Sequence, residues 1–430
     1  MLVKIPYGKG FVSLDLPDDR VAYVLEAREA KPVEDEPKDV KEALANPINS
    51  ERIADLASHS ERISILVSDY TRATPNKVLL PPILEELKKV KPNLEDVQIL
   101  VANGLHKPAP ESELKEFLGE EVMEEVSVIN HDAEDEESLT YLGKTSFGTE
   151  LLVNKLVVES DLLVMTGLIE PHFFAGYSGG RKSILPGVSG RETIYQNHGF
   201  KMIDHPLSRA GILDGNPIHE DMVEAAARVK ENRRMAIVNV VIDKKHRILK
   251  TFAGDVFDAH RAGVEFLDGI FKVKAPTRTD IVITSNGGYP LDRDLYQAVK
   301  GMSTGELIVK DGGVIVIFSE CVDGIGRGHE LFYRLMAEAE NPDQVLERIE
   351  REEPIKDQWE AQVLARILKK AKVILVSRNV KHSHVEEMHM IPASNPEEAL
   401  ELAEEIAGKD SSIAVVPEGP YVIPSVEMEV

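Results

Sequence analysis

Residues 62–104 read RISILVSDYTRATPNKVLLPPILEELKKVKPNLEDVQILVANG. RISILVSD has the short apolar run of a buried strand. NKVLLPPILEELKKV is a loop entering a helix, and DVQILVANG is the next strand. A strand, a helical crossover and a second strand form the βαβ unit of a parallel sheet. The same rhythm continues outward, with a helix over ESELKEFLGEEVMEEV and strands at SVINHD and DLLVMTGLI. MAIVNVVID and HRILKTFAGD read as an antiparallel pair, and VFDAHRAGVEFLDGIFKV as an amphipathic helix.

KAPTRTD, rich in turn formers, is the expected linker. Beyond it a second α/β rhythm runs through DIVITSNGG, VIVIFSE, HELFYRLMAEA, KVILVSR and PEEALELAEEIAG. The expected fold is α/β: two domains with mainly parallel sheets and an active site in the cleft between them. Residues 1–272 form the larger N-terminal domain and 273–430 the smaller C-terminal one. The terminal IAVVPEGPYVIP could return to either.

Composition narrows the function. The 430 residues exceed one ordinary core. The single cysteine, Cys321, excludes an intramolecular disulfide framework and any cysteine-rich metal site. A formal net charge of −24 repels nucleic acid and anionic membranes. The N-terminus lacks the apolar stretch of a signal peptide, and the longest apolar runs are too short to span a bilayer. A cytoplasmic protein with no nucleic-acid or membrane partner is expected.

Several strand ends finish in reactive residues. ILVSD runs into Asp69 and Arg72, ILVANG into His106, LLVMTGLIE into His172, and IVITSNGG into a segment carrying Gln297 and Lys300. Open α/β sheets bind ligands beyond the carboxyl ends of their strands, so these ends can converge on one crevice. Glu170–Gly187, EPHFFAGYSGGRKSILPG, adds a glycine turn. It resembles a phosphate loop, but Arg181 separates Gly180 from Lys182, which breaks the required Gly-Lys-Ser/Thr succession. Three histidines, His106, His172 and His198, could also hold zinc with one open position, although their spacing matches no short zinc signature.

DYTRATP, NGLHKP, EPHFFAGYSGGRKSILPG, NHG and GYPLDRDLYQAVKG together resemble the nickel-dependent lactate racemases and their wider group of 2-hydroxyacid racemases and epimerases. The motifs occur in the family's order over residues 69–301. The resemblance implies a nickel-pincer nucleotide, a pyridinium-3-thioamide-5-thiocarboxylic acid mononucleotide carrying nickel. Its thioamide link falls on Lys182 and its remaining nickel ligand on His198. The glycine turn, with Ser178, Gly179 and Gly180, would lie beside the nucleotide, and Tyr296 would line it. Asp69 would support Arg72 or the cofactor, and Arg181 would help deprotonate Lys182. Trp359 either covers the pocket or is ordinary packing.

The implied chemistry suits these residues. Removing a proton directly from the α-carbon of a 2-hydroxy acid leaves a carbanion beside a carboxylate. Removing hydride while a base takes the hydroxyl proton gives a planar 2-keto acid, which can be reduced on either face. His106 and His172 would each serve one enantiomer as general base and acid. Arg72 would grip the substrate carboxylate through its guanidinium fork, with Gln297 and Lys300 adding contacts from the second domain. The implied substrate is a small anionic 2-hydroxy acid, lactate-like. A larger sugar acid or dicarboxylate, a non-catalytic nucleotide-binding relative and a three-histidine zinc hydrolase are the alternatives. Enzymes of cofactor biosynthesis would be partners in maturation.

Overall fold

The computed structural model describes residues 1–426. The chain divides into two compact units. One contains Glu29–His198 and His205–Gly269; the other contains Met1–Arg28, Gly199–Asp204 and the chain from Ile270 onward. No helix among the described residues is long and apolar enough to cross a membrane.

The first unit is built on a six-stranded sheet. Its spatial order is Ile248–Gly254, Arg234–Ile242, Leu162–Leu168, Ile63–Ser68, Val97–Ala102 and Ser127–Asn130. All neighbours are parallel except the Ile248–Gly254 edge, the expected antiparallel pair. The central strands are apolar on both faces because helices cover both. The helix Asn76–Lys88 starts earlier than its sequence suggested and carries Pro81 and Pro82 inside it. An interior proline costs about 3 kcal/mol. Leu79, Leu80, Ile83, Leu84 and Leu87, all buried in the same core, outweigh that. The helix read over residues 111–126 is instead two, Glu111–Leu118 and Glu120–Glu125. They break at Gly119, whose φ of 97° lies outside the helical region.

The second unit holds a fully parallel six-stranded sheet. Its order is Ile391–Ala393, Lys372–Val376, Val309–Phe318, Thr279–Ser285, Ile413–Val416 and Val21–Val24. A single cut between 272 and 273 therefore does not describe the units. The N-terminal hairpin Leu2–Tyr7/Gly10–Asp15 buries Val3, Ile5, Tyr7 and Leu14 in a core with Ile281, Val316, Phe318 and Ile374. Its alternation announces a strand but not which sheet it covers. The expected linker is also largely structured. Lys272–Ala275 pairs with Ile423–Val426, and Thr279 already begins the next strand. IAVVPEGPYVIP thus supplies strands to this unit.

Candidate active site

In the first unit the chain starts at the central strand Ile63–Ser68, builds Val97–Ala102 and Ser127–Asn130 on one side, then returns to place Leu162–Leu168 on the other. The order reverses between Ile63–Ser68 and Leu162–Leu168. The crevice beyond the carboxyl ends at such a reversal is where open α/β sheets bind ligands. Asp69 and Arg72 follow one of these two strands, and His172 follows the other. His106 follows the adjacent Val97–Ala102. Sheet order alone thus sets the three neighbouring strand ends side by side.

Asp69 is 3% exposed and makes two side-chain contacts. Its Oδ1 accepts from the Thr71 hydroxyl at 2.8 Å, and its Oδ2 meets Nδ1 of His106. Burial pushes the Asp69 carboxyl up, but His106, Arg72 and Thr71 outweigh it and hold it below its ordinary value. A carboxylate can only accept, so the His106 proton sits on Nδ1 and the lone pair of the neutral ring on Nε2. Arg72 is half-buried at the same turn, where its backbone N–H donates to Asp69 O at 3.2 Å.

The glycine turn is held from below. Pro171–His172 pairs with Gly176–Tyr177 in a short antiparallel hairpin. Gly180 has φ +53°, and a Cβ there would stand 2.8 Å from the His260 ring. Its N–H donates to Asn239 Oδ1 at 2.8 Å. Ser178 fastens the turn back to the strand end, donating to Leu168 O at 2.6 Å and accepting from Glu170 N at 3.0 Å. Arg181, 1% exposed, turns inward. It donates to the carbonyls of Ala175 at 2.9 Å and Gly179 at 3.1 Å. Burial pushes its guanidinium pKa down. These contacts make Arg181 a brace of the turn.

Phe174 gathers the reactive groups that follow. Its ring lies 4.5 Å from that of His172 and 5.0 Å from that of His198, both edge-on, and Lys182 Nζ stands 5.9 Å from its centroid. His198 is 5% exposed, at the C-terminal end of the helix Arg191–Asn197. Burial first, and then the charge of Lys182, push its pKa down to about 3, so the ring is neutral near pH 7. His172 accepts the Ala175 N–H on Nδ1 at 3.2 Å. Its neutral ring therefore carries its proton on Nε2, the reverse of His106.

The two groups of residues are tied through the backbone. Gly104 N–H donates to Gly187 O at 2.9 Å, and a Cβ on Gly187 would stand 2.9 Å from Ala102 Cβ. The loop that leaves Lys182 thus seats on the strand end that leads to His106. Asp69, Arg72, His106, His172, Ser178, Gly179, Gly180, Lys182 and His198 all belong to the first unit.

Tyr296, Gln297 and Lys300 belong to the second unit, on the helix Leu295–Ile308. Asp294 caps this helix, accepting from Gln297 N at 2.8 Å. Tyr296 stacks on His329 at 3.7 Å and accepts from Trp359 Nε1 at 3.0 Å. Trp359 is thereby tied to one of the expected cofactor residues. Glu360 is 2% exposed beside this cluster. Burial pushes its carboxyl well up, against the pull of Lys300. Phe174, Asn239 and Glu360 had no expected role. Phe174 lay inside a quoted motif, but nothing in a linear pattern marks a phenylalanine as the hub of three reactive side chains.

The family model described as the lactate racemase N-terminal domain matches residues 7–211, and the one described as the lactate racemase C-terminal domain matches residues 274–424. A protein named lactate racemase from Thermoanaerobacterium thermosaccharolyticum is 46% identical over 98% of both chains. One of the same name from Lactiplantibacillus plantarum is 38% identical over 98% of this chain and 99% of its own. The structure of the lactate racemase apoprotein from the first organism superposes with a TM-score of 0.93 at 45% identity, covering all of both chains. A Thermotoga maritima protein at 18% identity and a TM-score of 0.67 shares the fold.

Proposed function

Because the chain belongs to the lactate racemase family, we propose that it inverts C2 of lactate or a close 2-hydroxy acid, using a nickel-pincer nucleotide attached to Lys182. The observation that carries this reading is the gathering of His172, Lys182 and His198 around Phe174. The donor set fits the cofactor. His198 is neutral and offers a metal one imidazole nitrogen, too few donors to retain an ion without others from a bound group. The His198 ring and Lys182 Nζ stand 5.0 Å and 5.9 Å from the same Phe174 ring, so a group tethered to one can reach the other. When bound, that group would supply a reversible acceptor for the hydride of C2.

The chain's own residues do the rest. Arg72 receives the substrate carboxylate with a planar fork that matches it. His106, with its proton held on Nδ1 by Asp69, takes the hydroxyl proton at Nε2. His172 presents Nε2–H to the substrate oxygen as a donor in this state. To act as base on the opposite enantiomer it must carry its proton on Nδ1, which means giving up the Ala175 N–H. The enzymes that build the cofactor are the partners in maturation. A cytoplasmic setting accords with a lone, buried cysteine.

The test is a panel of single-enantiomer 2-hydroxy acids, lactate first and then larger acids, presented to protein matured with the cofactor pathway. Lactate is expected to racemise, and His106→Ala or His172→Ala to abolish it. Holoenzyme that binds lactate but inverts nothing across the panel would refute the reading.

A further inference from the structure

Asp221 is a fully buried carboxylate with no part in the chemistry above. It lies on the helix Pro217–Lys230. Thr145 Oγ1 donates to its Oδ1 at 2.6 Å, and Thr149 Oγ1 donates to its Oδ2 at 2.8 Å. Asn197 Nδ2 donates to the same Oδ2 at 2.7 Å and to Ile218 O at 3.3 Å. Asn197 Oδ1 stands 2.9 Å from His198 Nδ1.

The direction of this chain is forced. A carboxylate and a peptide carbonyl can only accept, so the amide face of Asn197 that meets both must be its NH₂. Its oxygen is then left for His198, and Nδ1 must be the protonated nitrogen. The other amide orientation would set oxygen against two acceptors and NH₂ against the ring. Among buried groups such a mismatch leaves each opposed atom desolvated and unsatisfied.

We infer that Asp221 and Asn197 are positioning residues that fix the tautomer of His198, so that its metal-binding lone pair lies on Nε2. The inference rests on the proposed role of His198 as nickel ligand and adds how that role is secured. Two hydroxyls of the Leu139–Lys144/Glu150–Asn154 hairpin region orient Asp221, Asp221 orients Asn197, and Asn197 orients the ring. Partners of this kind on a metal-bound histidine set both ring orientation and ligand basicity.

Two readouts separate the relay from the role it serves. In full-length apo protein labelled with ¹⁵N-histidine, a long-range ¹H–¹⁵N spectrum reports the His198 tautomer, assigned by the signal missing in His198→Gln. Wild type is expected to show the Nδ1–H form, and Asn197→Ala a shift toward Nε2–H. In nickel-loaded protein, Asn197→Leu removes the acceptor from His198 Nδ1 at similar volume and should speed nickel release into excess EDTA by about 10–100-fold. Asn197→Asp keeps an oxygen on Nδ1 and, with one proton shared between the two carboxylates, should hold the Nδ1–H tautomer in the apo spectrum. An unchanged tautomer in Asn197→Ala overturns the relay, whether or not the other variants fold. So does an Asn197→Leu protein that folds like wild type yet releases nickel at the wild-type rate. Failure of wild type to retain nickel would instead count against the proposed function, and the apo spectrum would still decide the relay.

Discussion

Asp69→Asn tests the base assignment with almost no change of volume. Asp69 Oδ1 holds the Thr71 hydroxyl and Oδ2 faces His106. An asparagine that keeps oxygen on Thr71 turns its NH₂ toward His106 Nδ1, which drives the ring proton to Nε2 and removes the base. One that flips keeps the tautomer but loses the charge. A hydrogen bond to a charged partner contributes about 1.5–3 kcal/mol against about 0.5–1.5 for a neutral one. Loss of the charge alone therefore costs roughly 1 kcal/mol or more as the imidazolium forms, approaching tenfold in rate. Loss of the tautomer removes the general-base factor of about 10²–10⁴. We expect kcat/KM to fall by about 10²–10³, between those limits.

Racemisation is followed by circular dichroism from each pure lactate enantiomer, with cofactor loading checked by intact mass. Mirror-image substrates have equal free energies in water, so kcat/KM must fall by the same factor in both directions. Only kcat and KM separately can diverge. A fully loaded Asp69→Asn enzyme that keeps kcat/KM within about tenfold of wild type would show that Asp69 does not prepare His106 for catalysis.

Intact mass of protein matured with the cofactor pathway should show a nucleotide-sized adduct that Lys182→Ala lacks. Metal analysis should find nickel that His198→Ala loses. Gly180→Ala should destabilise by about 1–3 kcal/mol, because its Cβ meets the His260 ring and its φ is positive; a thermal melt checks the loss, and adduct yield should fall with it. Acid should destabilise the apo protein well above the carboxylate range. Burial pushes His131 down, His219 to about 2 and His260 to about 3, so the unfolded chain binds protons that the folded chain refuses. Stability then rises with pH up to about 6.5 and is lost as pH falls below it, by roughly 1.4 kcal/mol per unit for each histidine. Urea midpoints between pH 5 and pH 7 should show this slope, and His219→Gln should reduce it by about one proton.

The parts legible in the sequence were those whose evidence is local. The βαβ rhythm from Arg62 to Gly104 requires only periodicity and turn residues. The strand ends at Asp69, His106 and His172 could be marked because an apolar run stops at a polar residue. Which sheet the N-terminal hairpin covers was not legible, since its alternation is the same over either. Nor was the break at Gly119, where one φ decides between one helix and two. Ser178 could be marked by its place in the glycine turn, but not that its hydroxyl both donates to and accepts from backbone. Only tertiary structure shows that.

Asn197 and His198 show where that limit falls. Both stand in the NHG motif, and the histidine could be singled out because its side chain has chemistry of its own. The asparagine has none until Asp221, 24 residues on, fixes which of its ends faces the ring. Asp221 is in turn set by Thr145, 76 residues before it. A group that reacts can be suspected from its type and its neighbours in sequence. A group that determines which nitrogen of another side chain carries a proton acts only through contacts that folding brings together. A sequence pattern will therefore name a metal ligand before it names the residues that make the ligand competent, and the second set has to be read from hydrogen-bond direction.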